Sequence, residues 1–170
     1  MYELRRGDIV CFDSNVIIWG FIQESDTTNA DKISKSIHLI EECSRLEVNV
    51  VIPSIALAEV ISGCKSKKTA EKIHSEIFKS FRVVPFDSMA AFQYSELWRV
   101  KKKSQKGKNK IEGTRNTLKA DCMIIATALS AKAHCIYTGN NEVEKFKKLA
   151  QSKIEVESPP GFLQQTTLEV

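Results

Sequence analysis

The chain has 170 residues, of which 42% are hydrophobic and 27% are charged, a balance typical of a globular domain with a sizeable core. No apolar run approaches the roughly 20 residues of a membrane span, and the opening MYELRRGDIV lacks the apolar centre of a signal peptide. These features argue against a membrane protein and predict one domain over residues 1–170, located in the cytoplasm.

The cysteines and the basic residues narrow the class further. The five cysteines form no Cys-x-x-Cys pair, which argues against a structural zinc site. The net charge is only +4, but residues 99–119 hold nine Lys or Arg and a single acid. Such a segment is either a solvated loop or a clamp for a polyanion such as RNA or DNA.

In the first half of the chain, short apolar runs alternate with amphipathic stretches. The run IVCF predicts a strand at 9–12, and apolar residues at helical spacing predict a helix at 30–46. A β-branched strand at 49–52 ends at a proline, and the serine after that proline can cap a helix at 55–62. A second amphipathic helix is predicted at 68–80.

The second half repeats this alternation around a polar, basic segment. We predict, in order, a strand at 82–86, a helix at 89–103, a basic loop at about 101–119, a helix at 121–132, a strand at 133–138, a helix at 142–150, a strand at 153–157 and a C-terminal tail at about 159–170. The alternation predicts an α/β fold in three layers, α/β/α, with a mostly parallel central sheet of about five strands.

Polar residues stand where several of these strands end. Asp13 follows the first strand, Glu59 lies one to two turns into the helix after the second, Asp121 opens the most apolar helix, and Asn140 follows the strand that ends at Thr138. Taken singly, each can be a turn residue, a helix-terminal acid or a solvent-facing side chain. Because ligands of parallel sheets collect at the carboxyl ends of the strands, we predict that these residues share one rim.

A shared rim of carboxylates points to a cation. Clustered carboxylates repel each other, and their pKa values rise unless a positive charge neutralises them. Ligands that are all oxygen suit Mg²⁺ or Mn²⁺, and Mg²⁺ usually also binds substrate phosphates. Together with the basic segment, the rim predicts metal-assisted hydrolysis of a phosphodiester, with one metal ion or two.

Three segments, FDSNVII, PSIALAEVISG and KADCMIIATALSAKAHCIYTGNN, occur in the order in which the PIN-domain family has them, and the chain resembles that family. Its members are small Mg²⁺- or Mn²⁺-dependent ribonucleases and include the VapC-like toxins of toxin–antitoxin pairs. The resemblance implies that Asp13, Glu59 and Asp121 are catalytic and bind the metal ion. It also implies that Asn15 and Thr138 support the site.

The chain departs from the family's pattern at one position. Asn140 stands where many members carry Asp. The resemblance implies that Asn140 is a fourth metal ligand, through a carbonyl oxygen that brings no charge, and nearby Glu142 or Glu144 could substitute for the missing acid. The departure bears on the second metal ion and on the rate of the reaction, and does not bear on the fold.

The resemblance implies an endoribonuclease that acts on single-stranded or structured RNA and is the toxin of a toxin–antitoxin pair. The expected partners are RNA, an antitoxin protein and a second copy of the chain in a homodimer, with no membrane. We expect the phosphates of the RNA to contact the basic residues Lys101, Lys102, Lys103, Lys106, Lys108, Lys110 and Arg115.

Three other classes share part of this pattern. A catalytically weak or inactive PIN-like module, which Asn140 favours slightly, would bind RNA or a protein without cleavage. A receiver-type signalling domain needs an adjacent acid pair before the strand tip, but here Asp8 is far from Asp13, and it needs a lysine after a late strand, but none follows Thr138 in the required place. A haloacid-dehalogenase-like phosphatase needs Asp-x-Asp, whereas position 15 is Asn.

Overall fold

The computed structural model describes residues 2–23, 30–104, 111, 113–139 and 141–161, and gives only the backbone of 102–104. Within these ranges a five-stranded sheet forms the centre of the molecule, and every neighbouring pair of strands is parallel. The strands are β1 (Ile9–Phe12), β2 (Asn49–Pro53), β3 (Arg82–Val84), β4 (Cys135–Tyr137) and β5 (Glu155–Glu157).

Helices connect each strand to the next. They are α1 (Ser14–Ile17), α2 (Ala30–Arg45), α3 (Ser54–Ser62), α4 (Lys67–Ser80), α5 (Ser88–Ser104), α6 (Arg115–Ser130) and α7 (Val143–Ala150), and a π-helical segment (Ile18–Ile22) follows α1 directly. The predicted α/β class with helices around a parallel sheet of five strands is therefore confirmed. None of the helices in the described part of the chain is long and apolar enough to cross a membrane.

The order of the strands across the sheet is β3-β2-β1-β4-β5, so it changes direction at β1. The chain moves from β1 outward to β3, crosses back to the other side of β1, and continues from β4 to β5. Because such crossovers are right-handed, α2 to α4 cover one face of the sheet and α5 to α7 cover the other. The carboxyl ends of β1 and β4 flank the switch point, which is where parallel sheets bind ligands.

The central strands explain why this switch point is held rigidly. Val10, Cys11 and Phe12 of β1 are fully buried, as are Val51 and Ile136 on the strands to either side. Strands covered by helices on both faces are expected to be apolar throughout. The apolar runs from which these strands were predicted have this composition. The buried core therefore holds the residues that follow β1 and β4 at a constant distance from each other.

The structure corrects the predicted start of the helix that carries Asp121. That helix begins at Arg115, so Asp121 is its seventh residue and does not open it. Thr114 caps the helix, since its side chain accepts a hydrogen bond of 3.2 Å from the backbone N–H of Thr117. The predicted basic loop is correspondingly shorter at both ends, because α5 also continues to Ser104.

The helical turns after β1 were not predicted either. Asp13 caps α1, and the π-helical segment continues it and packs on α2. Gly20 makes this contact possible, because a Cβ at that position would lie 2.7 Å from a methyl group of Ile40 and 2.9 Å from Ser36. The other strands and helices agree with the prediction to within a few residues.

Candidate carboxylate site at the switch point

Asp13 occupies the tip of β1. One carboxylate oxygen, Oδ2, accepts a hydrogen bond of 2.6 Å from the Thr138 hydroxyl, and Oδ1 accepts one of 2.7 Å from the backbone N–H of Ser14. The backbone N–H of Asp13 donates to the carbonyl of Tyr137 over 3.0 Å, which ties the tips of β1 and β4 together. Asp13 is only 4% exposed, and this burial raises the pKa of its carboxyl, although the hydrogen bonds act in the opposite direction.

Glu59 approaches Asp13 from α3, and Ser14 lies between the two. The Ser14 hydroxyl is 3.3 Å from Oδ1 of Asp13 and is also within hydrogen-bonding reach of the Glu59 carboxyl. Having one proton, it donates to one carboxylate at a time. Partial burial raises the pKa of Glu59, the Ser14 hydrogen bond lowers it, the charge of Asp13 raises it and the charge of Lys145 lowers it.

Asp121 reaches the same place from α6. Its Oδ2 atom is buried and lies 3.0 Å from the ammonium nitrogen of Lys145 on α7. Burial raises the pKa of Asp121 to about 6; Lys145 acts against this rise, and the charges of Asp13 and Glu142 add to it. Burial thus outweighs the nearby ammonium, because removing a carboxylate from water disfavours its charged form.

Glu142 and Lys145 complete the group from the start of α7. Lys145 forms ion pairs with Asp121 and with Glu142, which lies three residues before it. Burial lowers the pKa of Lys145, but the ion pairs with Glu142 and Asp121 outweigh it, so the pKa is raised overall and the side chain is a cation. We refer to Asp13, Glu59, Asp121 and Glu142 as the carboxylate rim.

Two members of this site were absent from the predicted set. Ser14 was not predicted because a serine after a strand is ordinary turn chemistry. Lys145 was not predicted because lysines on a helix usually face solvent; its three-residue spacing from Glu142, next to a strand tip, was the available signal. Glu142 was predicted only as a substitute acid, and the structure brings its charge close to Asp13 and Asp121.

The predicted supporting residues lie beside the rim. Thr138 is fully buried and donates to Asp13. Asn15 extends toward Gly139: a Cβ added to that glycine would lie 3.5 Å from Nδ2 of Asn15. The same Cβ would lie only 2.9 Å from the ring of Trp19. Asn140, the predicted fourth ligand, lies outside the described residues.

The predicted RNA-binding lysines are described only in part. Lys101 is 5% exposed, and its ammonium lies over the ring of Trp98, 4.2 Å from the ring centre. To reach a phosphate, this ammonium would have to leave the ring. Arg115 is exposed on the first turn of α6. The remaining positions, Lys106, Lys108 and Lys110 and the side chains of Lys102 and Lys103, lie outside the described residues.

The donor set at the rim fits a hard divalent cation. In the part of the chain that the structure describes, no three His, Cys, Asp or Glu side chains are grouped closely enough to enclose a metal ion. Mg²⁺ does not need such a cage, because it keeps several waters and binds through one or two carboxylates plus substrate oxygens. The charge of Asp13 raises the pKa of Asp121, and among the described residues the buried Oδ2 of Asp121 has no hydrogen-bond partner of good geometry besides its ion pair with Lys145. Both observations favour a cation at this point.

Comparison with known proteins identifies the family whose fold the chain shares. The family model described as PIN domain matches residues 10–150 of the chain. A comparison with curated proteins finds no match.

Solved structures give the same picture. A chain of DNA-bound VapBC from Salmonella typhimurium is 17% identical with a TM-score of 0.63, and the alignment covers 92% of this chain and 100% of that one. A chain of VapBC2 from Rickettsia felis, bound to a DNA fragment from its promoter, is 20% identical with a TM-score of 0.61, covering 88% and 98%. A chain of a toxin–antitoxin complex from Klebsiella pneumoniae is 18% identical with a TM-score of 0.57, covering 90% and 99%. At these identities the similarity shows a common fold.

Proposed function

This chain belongs to the PIN-domain family, and on that premise we propose that it is a Mg²⁺- or Mn²⁺-dependent endoribonuclease that hydrolyses phosphodiester bonds of RNA. The observation that carries the proposal is the convergence of four carboxylates, from the end of β1, from α3 and α6 and from the residue before α7, at the switch point of the sheet. These residues are far apart in sequence, and a set of mutually repelling carboxylates makes chemical sense when it serves a cation.

The proposed roles follow from what each side chain contacts. Asp13, held by Thr138 and by the backbone of Ser14, and Asp121 would hold the metal ion, with Asn140 as a further ligand. Glu59 would bind the ion or orient the attacking water, since its raised pKa makes it a better base than an ordinary glutamate. A bound divalent ion lowers the pKa of water and offsets the charge that develops on the phosphate.

The basic segment would supply affinity for the substrate. Phosphate contacts set the strength and the salt dependence of binding and leave sequence preference largely untouched. Replacing Lys102, Lys103, Lys106 and Lys108 with Ala should reduce the slope of log affinity against log salt by up to about 3, from about 0.7 per phosphate contact on single strands. A fluorescence-anisotropy titration of a labelled RNA at several salt concentrations measures this slope. An unchanged slope would make the segment a solvated loop.

We further propose that the chain is the toxin of a toxin–antitoxin pair and binds an antitoxin protein. Support comes from the solved structures with the same fold, one of which is described as a toxin–antitoxin complex. Co-expression with the product of any adjacent reading frame, followed by purification through a tag on this chain, tests for such a partner. A homodimer stays a prediction that light scattering of the purified chain checks.

Cleavage of an end-labelled single-stranded RNA tests the activity. The purified protein is incubated with the RNA and Mg²⁺, Mn²⁺ or EDTA, beside Asp13→Asn and a control, Asp31→Asn, which removes an exposed carboxylate on α2. We expect cutting with either metal ion, none in EDTA, none by Asp13→Asn, and unchanged cutting by Asp31→Asn.

Two other outcomes would count against the proposal. RNA binding without cutting, unaffected by EDTA, would favour the inactive PIN-like module. Cutting that survives in Asp13→Asn would mean that a contaminant is responsible or that the reacting groups lie elsewhere.

A further inference from the structure

We propose that Lys145 is a built-in cation of the carboxylate rim, which holds Asp121 and Glu142 in the metal-free protein and competes with a divalent metal ion for them. This inference rests on the proposed function for one assumption, which is that the rim binds the metal ion. It assigns to a lysine outside the predicted site the role of setting how tightly that site binds metal.

The ammonium of Lys145 lies within the carboxylate rim. Lys145 projects from the first turn of α7 into the rim, and its side chain is only 17% exposed. The ammonium lies 3.0 Å from the buried Oδ2 of Asp121 and also pairs with Glu142. It is also close enough to lower the pKa of Glu59. One positive charge therefore faces three of the four rim carboxylates.

The ammonium of Lys145 neutralises only part of the negative charge of the rim carboxylates. Among the described residues, the rim holds four carboxylates against one ammonium, that of Lys145, so these groups carry a net negative charge when all are ionised. A divalent ion is therefore still attracted to the site. The same ion is repelled by the ammonium, because like charges a few ångströms apart in a partly buried site are poorly screened.

The contact between Lys145 and Asp121 allows the ammonium to move away. Lys145 holds Asp121 Oδ2 through its ammonium alone, across an ion pair of 3.0 Å. The ammonium sits on a flexible four-carbon stem and can leave the oxygen without any movement of α7. A cation held in this way can give up its place to a metal ion.

Mn²⁺ binding to the full chain, freed of metal beforehand, tests the proposal. Electron paramagnetic resonance measures free Mn²⁺ during titration of wild type, Lys145→Met, Lys145→Arg and Lys148→Met. Lys148→Met is the matched control, because it removes a lysine from an exposed position of the same helix. We expect Lys145→Met to bind Mn²⁺ about tenfold more tightly than wild type, a typical size for coupling between two binding events. Lys145→Arg and Lys148→Met should bind like wild type.

Thermal unfolding provides a second readout that does not depend on activity. Without metal, Lys145→Met should melt below wild type, because the rim loses its counter-charge, and Mn²⁺ should raise its melting temperature more than that of wild type. A lysine with a purely structural role would lower the melting temperature without tightening Mn²⁺ binding. If Lys145→Met does not fold, Lys145→Gln gives the same comparison, since it is uncharged and can still donate hydrogen bonds.

The possible results separate this inference from the proposed nuclease activity. Equal or weaker Mn²⁺ binding by Lys145→Met overturns the inference, even if the wild-type protein cuts RNA. Tighter binding by Lys145→Met upholds it, even if no RNA is cut. Absence of Mn²⁺ binding in both proteins overturns the inference together with the metal site.

Discussion

Replacing Asp121 with asparagine is expected to stabilise the metal-free protein at neutral and mildly alkaline pH, although it removes a proposed catalytic group. The reason is that the fold holds this carboxyl where ionisation is unfavourable. Burial, together with the charges of Asp13 and Glu142, raises the pKa of Asp121 from 3.8 to about 6, against the effect of Lys145. At about 1.4 kcal/mol for each pKa unit, ionised Asp121 costs the folded state about 2 to 3 kcal/mol.

The sign and the pH range follow from the two pKa values. Below about pH 3 the carboxyl is protonated in both the folded and the unfolded chain, so Asp121 adds no electrostatic cost. As the pH rises from about 4 to 6, the unfolded chain releases its proton first and the free energy of unfolding falls. Above about pH 7 the full cost is present. Asparagine stays neutral throughout, so the variant lacks this fall.

Urea unfolding in EDTA, at several pH values between about 4 and 8, measures the effect. The stability of Asp121→Asn minus that of wild type should be about 0.5 kcal/mol at the acid end and rise to about 2 to 3 kcal/mol at the alkaline end. Asp31→Asn controls for the loss of one negative charge at an exposed position. A difference that does not change with pH, or a variant less stable than wild type at pH 8, would refute the electrostatic reasoning.

Three further substitutions test the surroundings of the rim and the core. Thr138→Val removes the 2.6 Å hydrogen bond to buried Asp13, and urea unfolding should show a loss of about 1 to 3 kcal/mol. Gly139→Ala places a methyl group 2.9 Å from the ring of Trp19, so the tryptophan fluorescence should change and Mn²⁺ affinity should fall as the neighbouring loop shifts. Ile125→Ala, in the fully buried part of α6, should cost about 2 to 5 kcal/mol by urea unfolding, and a smaller loss would mean that the core closes around the cavity.

The sheet and most of the helices were predictable because their signals are local and repeated. The strand at Ile9–Phe12 and the helix at Ala30–Arg45 follow from apolar runs and spacing that the structure reproduces. The start of α6 was not predictable in this way. Its first turns are polar, and the threonine at position 114 that caps them lies in a segment whose composition resembles a loop.

The site was predictable only as far as the backbone determines it. Asp13, Glu59 and Asp121 could be expected to meet because parallel strands end at one edge of the sheet. The position of Lys145 depends on where a long side chain points from α7, and the position of Ser14 depends on a helical turn that was not predicted. Side-chain direction is set by tertiary packing, which the spacing of residues along one element does not reveal.

Carboxylates elsewhere in the chain show that the rim differs in kind from ordinary structural acids. Asp87 is exposed and caps α5, and a hydrogen bond of 2.8 Å from the backbone N–H of Ala90 is the main cause of its lowered pKa. Folding therefore favours the ionised form of Asp87. For Asp13, Glu59 and Asp121 the main cause is burial, and it raises the pKa values. Folding alone disfavours these charges, which supports the proposal that the rim serves a metal ion, and the ammonium of Lys145 supplies a positive charge beside them in the metal-free protein.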